Sequence, residues 1–218
     1  MACSGFHTAY YENGKQWSGA GVVIVENYYT KNGKKIPCIL VAKDINRDKF
    51  IDFGGRYEYG HDNLQTTAHH ELREESCNLF NISPQVLQLM PYSDSKYQSH
   101  YYRTYFIKIN GVSRKMYYNN LRTLRKNNAP NCWLETNSIA HVPFENIPLE
   151  QLMYDQDIVT TDIDGTQVVL HNRLRQCLFH GYGSALDALN GKIVINSRND
   201  GKIVKTHDFK NLTFSISK

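Results

Sequence analysis

No run in the 218-residue sequence approaches the roughly 20 consecutive apolar residues that a membrane-crossing helix needs, so no membrane partner is expected. The opening MACSGFHTAYY lacks the basic-then-apolar order of a secretory leader, and an intracellular, cytoplasmic and reducing setting is the expectation that follows. Cys-x-x-Cys pairs are missing too. The five cysteines, Cys3, Cys38, Cys77, Cys132 and Cys177, are scattered and odd in number, which argues against the usual zinc and dithiol spacings and favours free thiols. There is no internal repeat, no low-complexity linker and no Ser-His-Asp signature. An excess of one charge is nearly absent: 25 Lys and Arg against 21 Asp and Glu leave +4, a mild preference for an anionic partner and well short of a dedicated nucleic-acid binder. With 41% hydrophobic and 21% charged residues, the chain is neither disordered nor fibrous. Its length suits one domain over 1–218 with a core of about 17–190, and nothing in it fixes the oligomeric state.

What is present alternates between strand and helix signals. Two β-branched runs, from Trp17 and from Ile36, flank Asn32-Gly33 and predict an antiparallel hairpin. A short strand at Lys49–Phe53 leads into Gly54 and Gly55, a pair expected to break it and open a loop. Asp62 as N-cap, Gln65 three residues on, and Leu64, Ala68 and Leu72 at four-residue steps predict a helix ending near Asn78. Strands are predicted at Pro84–Met90, Tyr101–Ile109 and Ser138–Val142. The stretch Leu170–Leu189 has helical spacing, with Gly181 and Gly183 suggesting a break inside it, and Lys192–Ile216 predicts a hairpin around Asn199, Asp200 and Gly201 within a C-terminal extension of about 191–218. The fold class is therefore α/β, a mixed sheet packed with helices.

The segment GGRYEYGHDNLQTTAHHELREESCNL, Gly54 to Leu79, carries the chemistry. Glu71, Glu74 and Glu75 stand at i, i+3 and i+4, so their carboxylates share a sector of the helix and repel one another. Hard oxygen donors in that arrangement suit magnesium or manganese; an acidic, solvated face with Arg73 as counter-ion has the same spacing. His69 and His70, as consecutive helix residues, point in different directions and make a poor zinc pair, while His141 reads as a core or strand histidine.

This segment resembles the signature of the Nudix hydrolase family: a glycine, a loop containing a glutamate, then Arg-Glu-apolar-x-Glu-Glu-x-Gly on a helix. Gly55, Glu71, Leu72, Glu74 and Glu75 match, and Gly54, Glu58, Gly60 and Ala68 agree where the family is commonly similar. The motif spans about a tenth of the chain, and WLETNSIAHVPFENI resembles the family's late acidic loop and final core strand. Four departures stand out. The span from Gly55 to Glu71 is one residue longer, placed in the loop near His61. The family's supporting glutamate and arginine become Asp62 and His70, a shorter acid and base able to keep an ion pair, which would favour protonated His70. Cys77 replaces the helix-ending glycine, with Asn78 one step later able to supply the turn.

The resemblance implies cleavage of a diphosphate bond in a nucleoside diphosphate-linked substrate, with Mg2+ or Mn2+ held by Glu71, Glu74, Glu75 and the Gly55 carbonyl. Arg56 would contact a phosphate, and the general base would be Glu135 or Glu75. Tyr92 and Tyr97 fall roughly where dinucleoside polyphosphate hydrolases of the family place a tyrosine. From the residues alone, an insertion of about 111–132 carries Arg114, Lys115, Arg122, Arg125 and Lys126 without an acid, and Tyr117, Leu121 and Leu124 at helical spacing. Such a basic helix suits RNA or a long polyphosphate, with Arg122 and Arg125 as substrate contacts, or a plain solvated face. Capped RNA, dinucleoside polyphosphates and diphosphoinositol polyphosphates are all open as substrates, and a binding or regulatory module with weakened turnover is the alternative function.

Overall fold

The β-branched run that opens the sequence becomes the spine of the molecule. In the computed structural model, which describes residues 10–97, 99–195 and 204–208, the chain runs β1 (Tyr10–Glu12), β2 (Lys15–Tyr29), β3 (Lys35–Asp44), β4 (Lys49–Ile51), β5 (Phe53–Arg56), α1 (Leu64–Glu75), α2 (Pro84–Leu87), β6 (Tyr92–Tyr97) and β7 (His100–Lys108). It continues through α3 (Arg114–Lys126), β8 (Thr136–Pro143), β9 (Ile158–Thr161), β10 (Gln167–Leu170), α4 (Asn172–Leu189), β11 (Lys192–Ile195) and β12 (Val204–Asp208).

Among the described residues β6, β7, β2, β3, β4, β10 and β9 lie side by side, with β1 and β5 also paired to β2 and β8 to β3. The β2–β7 and β4–β10 pairs are parallel and the others antiparallel, so the sheet is mixed. Alternation along β2 sends Ala20, Val22 and Ile24 to one face and Val23 and Val25 to the other. The first face packs on α1, α2 and α3 through Leu64, Leu72, Leu87, Tyr117 and Leu121; the second packs on α4 through Leu174, Leu178 and Ala185. A mixed sheet packed between helices is the predicted fold class.

Several local expectations are corrected. Asn63 rather than Asp62 caps α1: its side-chain oxygen accepts the Thr66 N–H at 2.9 Å, a contact worth about 1 kcal/mol. Helix α1 ends in a Schellman turn, Cys77 N–H to Glu74 C=O at 3.0 Å and Asn78 N–H to Arg73 C=O at 2.7 Å. Both Cys77 (φ 55°) and Asn78 (φ 59°) are left-handed, so the cysteine itself takes the glycine-like position and Asn78 supplies the left-handed turn expected of it one step later. Residues 84–87 form a helical turn and not a strand, because Ser83 caps it and Pro84 sits at its first position. The glycine pair lies inside β5, held by pairing with β2. Helix α4 runs unbroken through Gly181 and Gly183; at Gly181 a β-carbon would overlap the Phe106 ring, so the glycine serves close packing. Cys38, Cys77 and Cys177 are buried free thiols, whereas Cys132 is disulfide-bonded, against the expectation of free thiols throughout. Strands β11 and β12 pair antiparallel, Lys192 opposite Asp208; the predicted turn residues Asn199, Asp200 and Gly201 lie outside the described residues, as does Ile216.

Candidate functional site

The acids of α1 meet the sheet where it carries almost no side chains. Strands β2 and β5 pair Ala20 with Gly55 and Gly21 with Gly54. A β-carbon on Gly55 would overlap the Glu71 carboxylate, one on Gly19 the Gly55 carbonyl, and one on Gly21 or Gly54 the Tyr102 hydroxyl and the Asp52 carboxylate. Glycine at these four positions lets charged groups from both faces touch the main chain.

Gly54 is the meeting point. Its N–H donates to the Glu75 carboxylate of α1, and its carbonyl accepts from Arg173 Nη2 of α4 at 2.6 Å. The same guanidinium donates through Nε to Asp52 Oδ1 at 3.0 Å and lies 5.0 Å from the Tyr102 ring centre, while the Tyr102 hydroxyl donates to Asp52 Oδ2 at 2.9 Å. Asp52 is fully buried and Glu75 nearly so. One cation beneath the sheet thus faces a group of acids above it.

The imbalance shows in the acidities. Burial holds the Glu71 carboxyl well above the usual range, with the neighbouring Glu74 charge adding to it and Arg173 opposing. Glu75 is raised by burial and then by Glu71, against Arg173 and the Gly54 N–H. Glu74 is pushed up to about 7, by burial and then by Glu58 and Glu135, with Arg73 opposing. Burial and the Asp44 charge raise Glu135, again with Glu58 contributing. Glu58, Glu71, Glu74 and Glu135 therefore sit within one another's fields, Glu75 joins them through Glu71, and the Gly55 main chain borders the Glu71 carboxylate.

All donors in this group are hard oxygens, which fits Mg2+ or Mn2+. Among the described residues no three His, Cys, Asp or Glu side chains surround a common point.

Other predicted residues stand apart. Arg56 is exposed at the end of β5 and Asp62 is exposed in the loop before α1. Asp62 and His70 form no ion pair; the His70 ring instead stacks on His61, 4.9 Å apart and 8° from parallel. Burial lowers the His70 pKa, helped by the His61, His69 and Arg73 charges and opposed by Glu58, which reverses the expectation of a protonated histidine. Tyr92 packs 4.3 Å from the Arg103 guanidinium, which pairs with Asp94 at 2.7 Å and 3.0 Å. Tyr97 lies in β6 and its side chain is outside the described residues. Arg122 and Arg125 are exposed on α3. Asp52, Tyr102 and Arg173 were not legible as site residues, because contact between positions as far apart as Gly54 and Arg173 leaves no local spacing signal. A cleft of about 350 Å³ lined by Asn146, Val159, Thr160, Thr161 and Gln167 lies away from these acids and carries no ionisable side chain.

No family model and no curated protein matches the sequence. Among solved structures, the chain is similar to a crystal structure of a C. elegans Ap4A hydrolase binary complex, at 16% identity and a TM-score of 0.30 over 43% of this chain and 66% of that one. It is likewise similar to a crystal structure of C. elegans Ap4A hydrolase, at 17% identity and a TM-score of 0.29 over 44% of this chain and 70% of that one.

Proposed function

We propose that the chain is a Nudix-type hydrolase that uses Mg2+ or Mn2+ to cleave a diphosphate bond in a nucleotide-type substrate. The observation that carries this reading is the crowding of Glu71, Glu74 and Glu75 against the Gly54–Gly55 main chain, with pKa values raised by burial and by one another's charges beyond what Arg173 and Arg73 offset. Such a group destabilises itself unless positive charge is supplied, and a diphosphate substrate supplies none.

Glu71, Glu74 and Glu75, with the Gly55 carbonyl, would hold the ions, which when bound neutralise phosphate oxygens and acidify a water molecule. The chain's own residues do the rest. Arg173 fixes the Gly54 carbonyl and Asp52, and thereby the N–H that orients Glu75. A Glu75 oxygen, or that of Glu135, would accept the proton of the attacking water. Arg56, exposed beside the glycines, is free to meet a phosphate oxygen.

The unformed Asp62–His70 pair favours a second reading, a binding or regulatory module with weakened turnover. One experiment separates the two: screening dinucleoside polyphosphates, capped RNA and diphosphoinositol polyphosphates with Mg2+ or Mn2+, products identified by mass, for the native chain and for Glu74→Gln and Glu75→Gln. The proposal expects native turnover and a kcat lower by about 10²-fold or more in the variants with the fold intact. Native-like turnover in the variants at saturating metal would refute it.

A further inference from the structure

Helix α3 spends its apolar face on the core, where Tyr117 and Leu121 are buried and Met116 and Leu124 pack against them. On its flank Lys115, Tyr118, Arg122, Arg125 and Lys126 recur at three- and four-residue steps and form one exposed stripe, about 16 Å long at 1.5 Å per residue. Arg114 is taken up by Asp162 and Asp164, but the four stripe cations have no carboxylate partner among the described residues. Residues 111–132 contain no acid to neutralise them.

The stripe does not end in open solvent. A hydrogen-bond chain from the Tyr117 hydroxyl to Thr136 Oγ1, at 2.8 Å, and on to the Glu75 carbonyl, at 2.6 Å, fixes α3 beside the acidic helix. At the stripe's C-terminal end the Arg125 charge reaches Cys77, whose Sγ lies 4.0 Å from the Trp133 carbonyl. The Arg73 guanidinium, next in sequence to Glu74, stands 5.6 Å from the centre of the partly exposed Trp133 ring. Unpaired cations, the exposed Tyr118, the partly exposed Trp133 and the carboxylates thus follow one another across the surface.

We infer that this track binds a single-stranded polynucleotide, its phosphates along Lys115, Arg122, Arg125 and Lys126 and a base against Tyr118 or Trp133. Cations in a row with interleaved rings are the recognition pattern for an unpaired strand. An anionic membrane is the poorer match, because the apolar face that would enter it is already buried. That the strand's end then reaches the carboxylates rests on the hydrolase reading; binding to the track does not.

The test is fluorescence anisotropy of labelled 12-nucleotide RNA and DNA strands with the full native chain in EDTA, from 50 to 300 mM salt. Expected is binding whose log affinity falls against log salt with a slope of about −2 to −3, for three or four phosphate contacts. The Arg122→Gln/Arg125→Gln/Lys126→Gln variant, its fold checked by circular dichroism, should bind at least about tenfold more weakly with the slope reduced by about 2. Preference for RNA or DNA identifies which strand is the ligand. No salt-dependent binding by the native chain, unchanged affinity in the folded variant, or retention on phosphatidylserine vesicles without strand binding would each overturn the inference. Strand binding without diphosphate turnover would sink the hydrolase reading and leave the track; turnover without strand binding would do the reverse.

Discussion

Replacing Arg173 by Met removes the cation that α4 sends under the sheet. Asp52 is then a fully buried carboxylate that keeps the Tyr102 hydroxyl and loses its charged partner at 3.0 Å. Breaking a buried pair from one side costs about 3–5 kcal/mol. The Arg173 side chain is 23% exposed, so water can enter the vacated space, and a loss reduced below that range, to about 2–3 kcal/mol, is the expectation. Glu71 and Glu75 also lose the charge that opposes the rise in their pKa values, so fewer of them are ionised at neutral pH. Urea unfolding at pH 7 reads the first effect, and calorimetric titration with Mn2+ at pH 6, 7 and 8 reads the second as weaker binding that recovers with rising pH. The double variant Asp52→Asn/Arg173→Met should lose much less than the two single losses added together, because the buried charge has gone with its partner. A single-variant loss below about 0.5 kcal/mol, with additive singles, would refute the coupling through the sheet.

The raised pKa of Glu74 gives a pH-dependent prediction. Folding lifts its pKa from 4.5 to about 7, so the native state holds a proton that the unfolded chain has released; stability from this group is complete below about pH 4.5 and is lost as pH rises through 7. Glu74→Gln should therefore match the native chain near pH 4.5 and, in EDTA at pH 8, be more stable by about 1–2 kcal/mol after discounting for partial exposure. A less stable variant at pH 8 would reject the assignment, and excess Mg2+ should abolish the gain. At the start of α1, Asn63→Ala should cost about 1 kcal/mol in thermal or urea unfolding while Asp62→Ala stays within about 0.5 kcal/mol; the opposite order would return the cap to Asp62.

Signals that depend on neighbours in sequence were readable. The Asn32-Gly33 hairpin, the acidic helix with its buried Leu64, Ala68 and Leu72, the strand before Lys108 and the amphipathic helix at 114–126 all follow from spacing alone. Local pattern and structure diverge where two local rules compete. Asp62 and Asn63 are both good caps, and the backbone entry angle chose the second. Gly54 and Gly55 read as a strand breaker, yet pairing with β2 holds them extended. Gly181 read as a helix break, yet it is the residue that lets the Phe106 ring approach α4.

By itself the sequence determined that Glu71, Glu74 and Glu75 share one side of a helix, because the 3.6-residue period is a local property of the backbone. Only the tertiary structure decided what they face. The glycine crossing of β2 and β5, the Gly54 amide and carbonyl that join Glu75 to Arg173, and the loss of the Asp62–His70 pair to a histidine stack all depend on which distant segments pack together. Burial and the sum of neighbouring charges set acidity, and neither is encoded in the spacing of residues along a single segment.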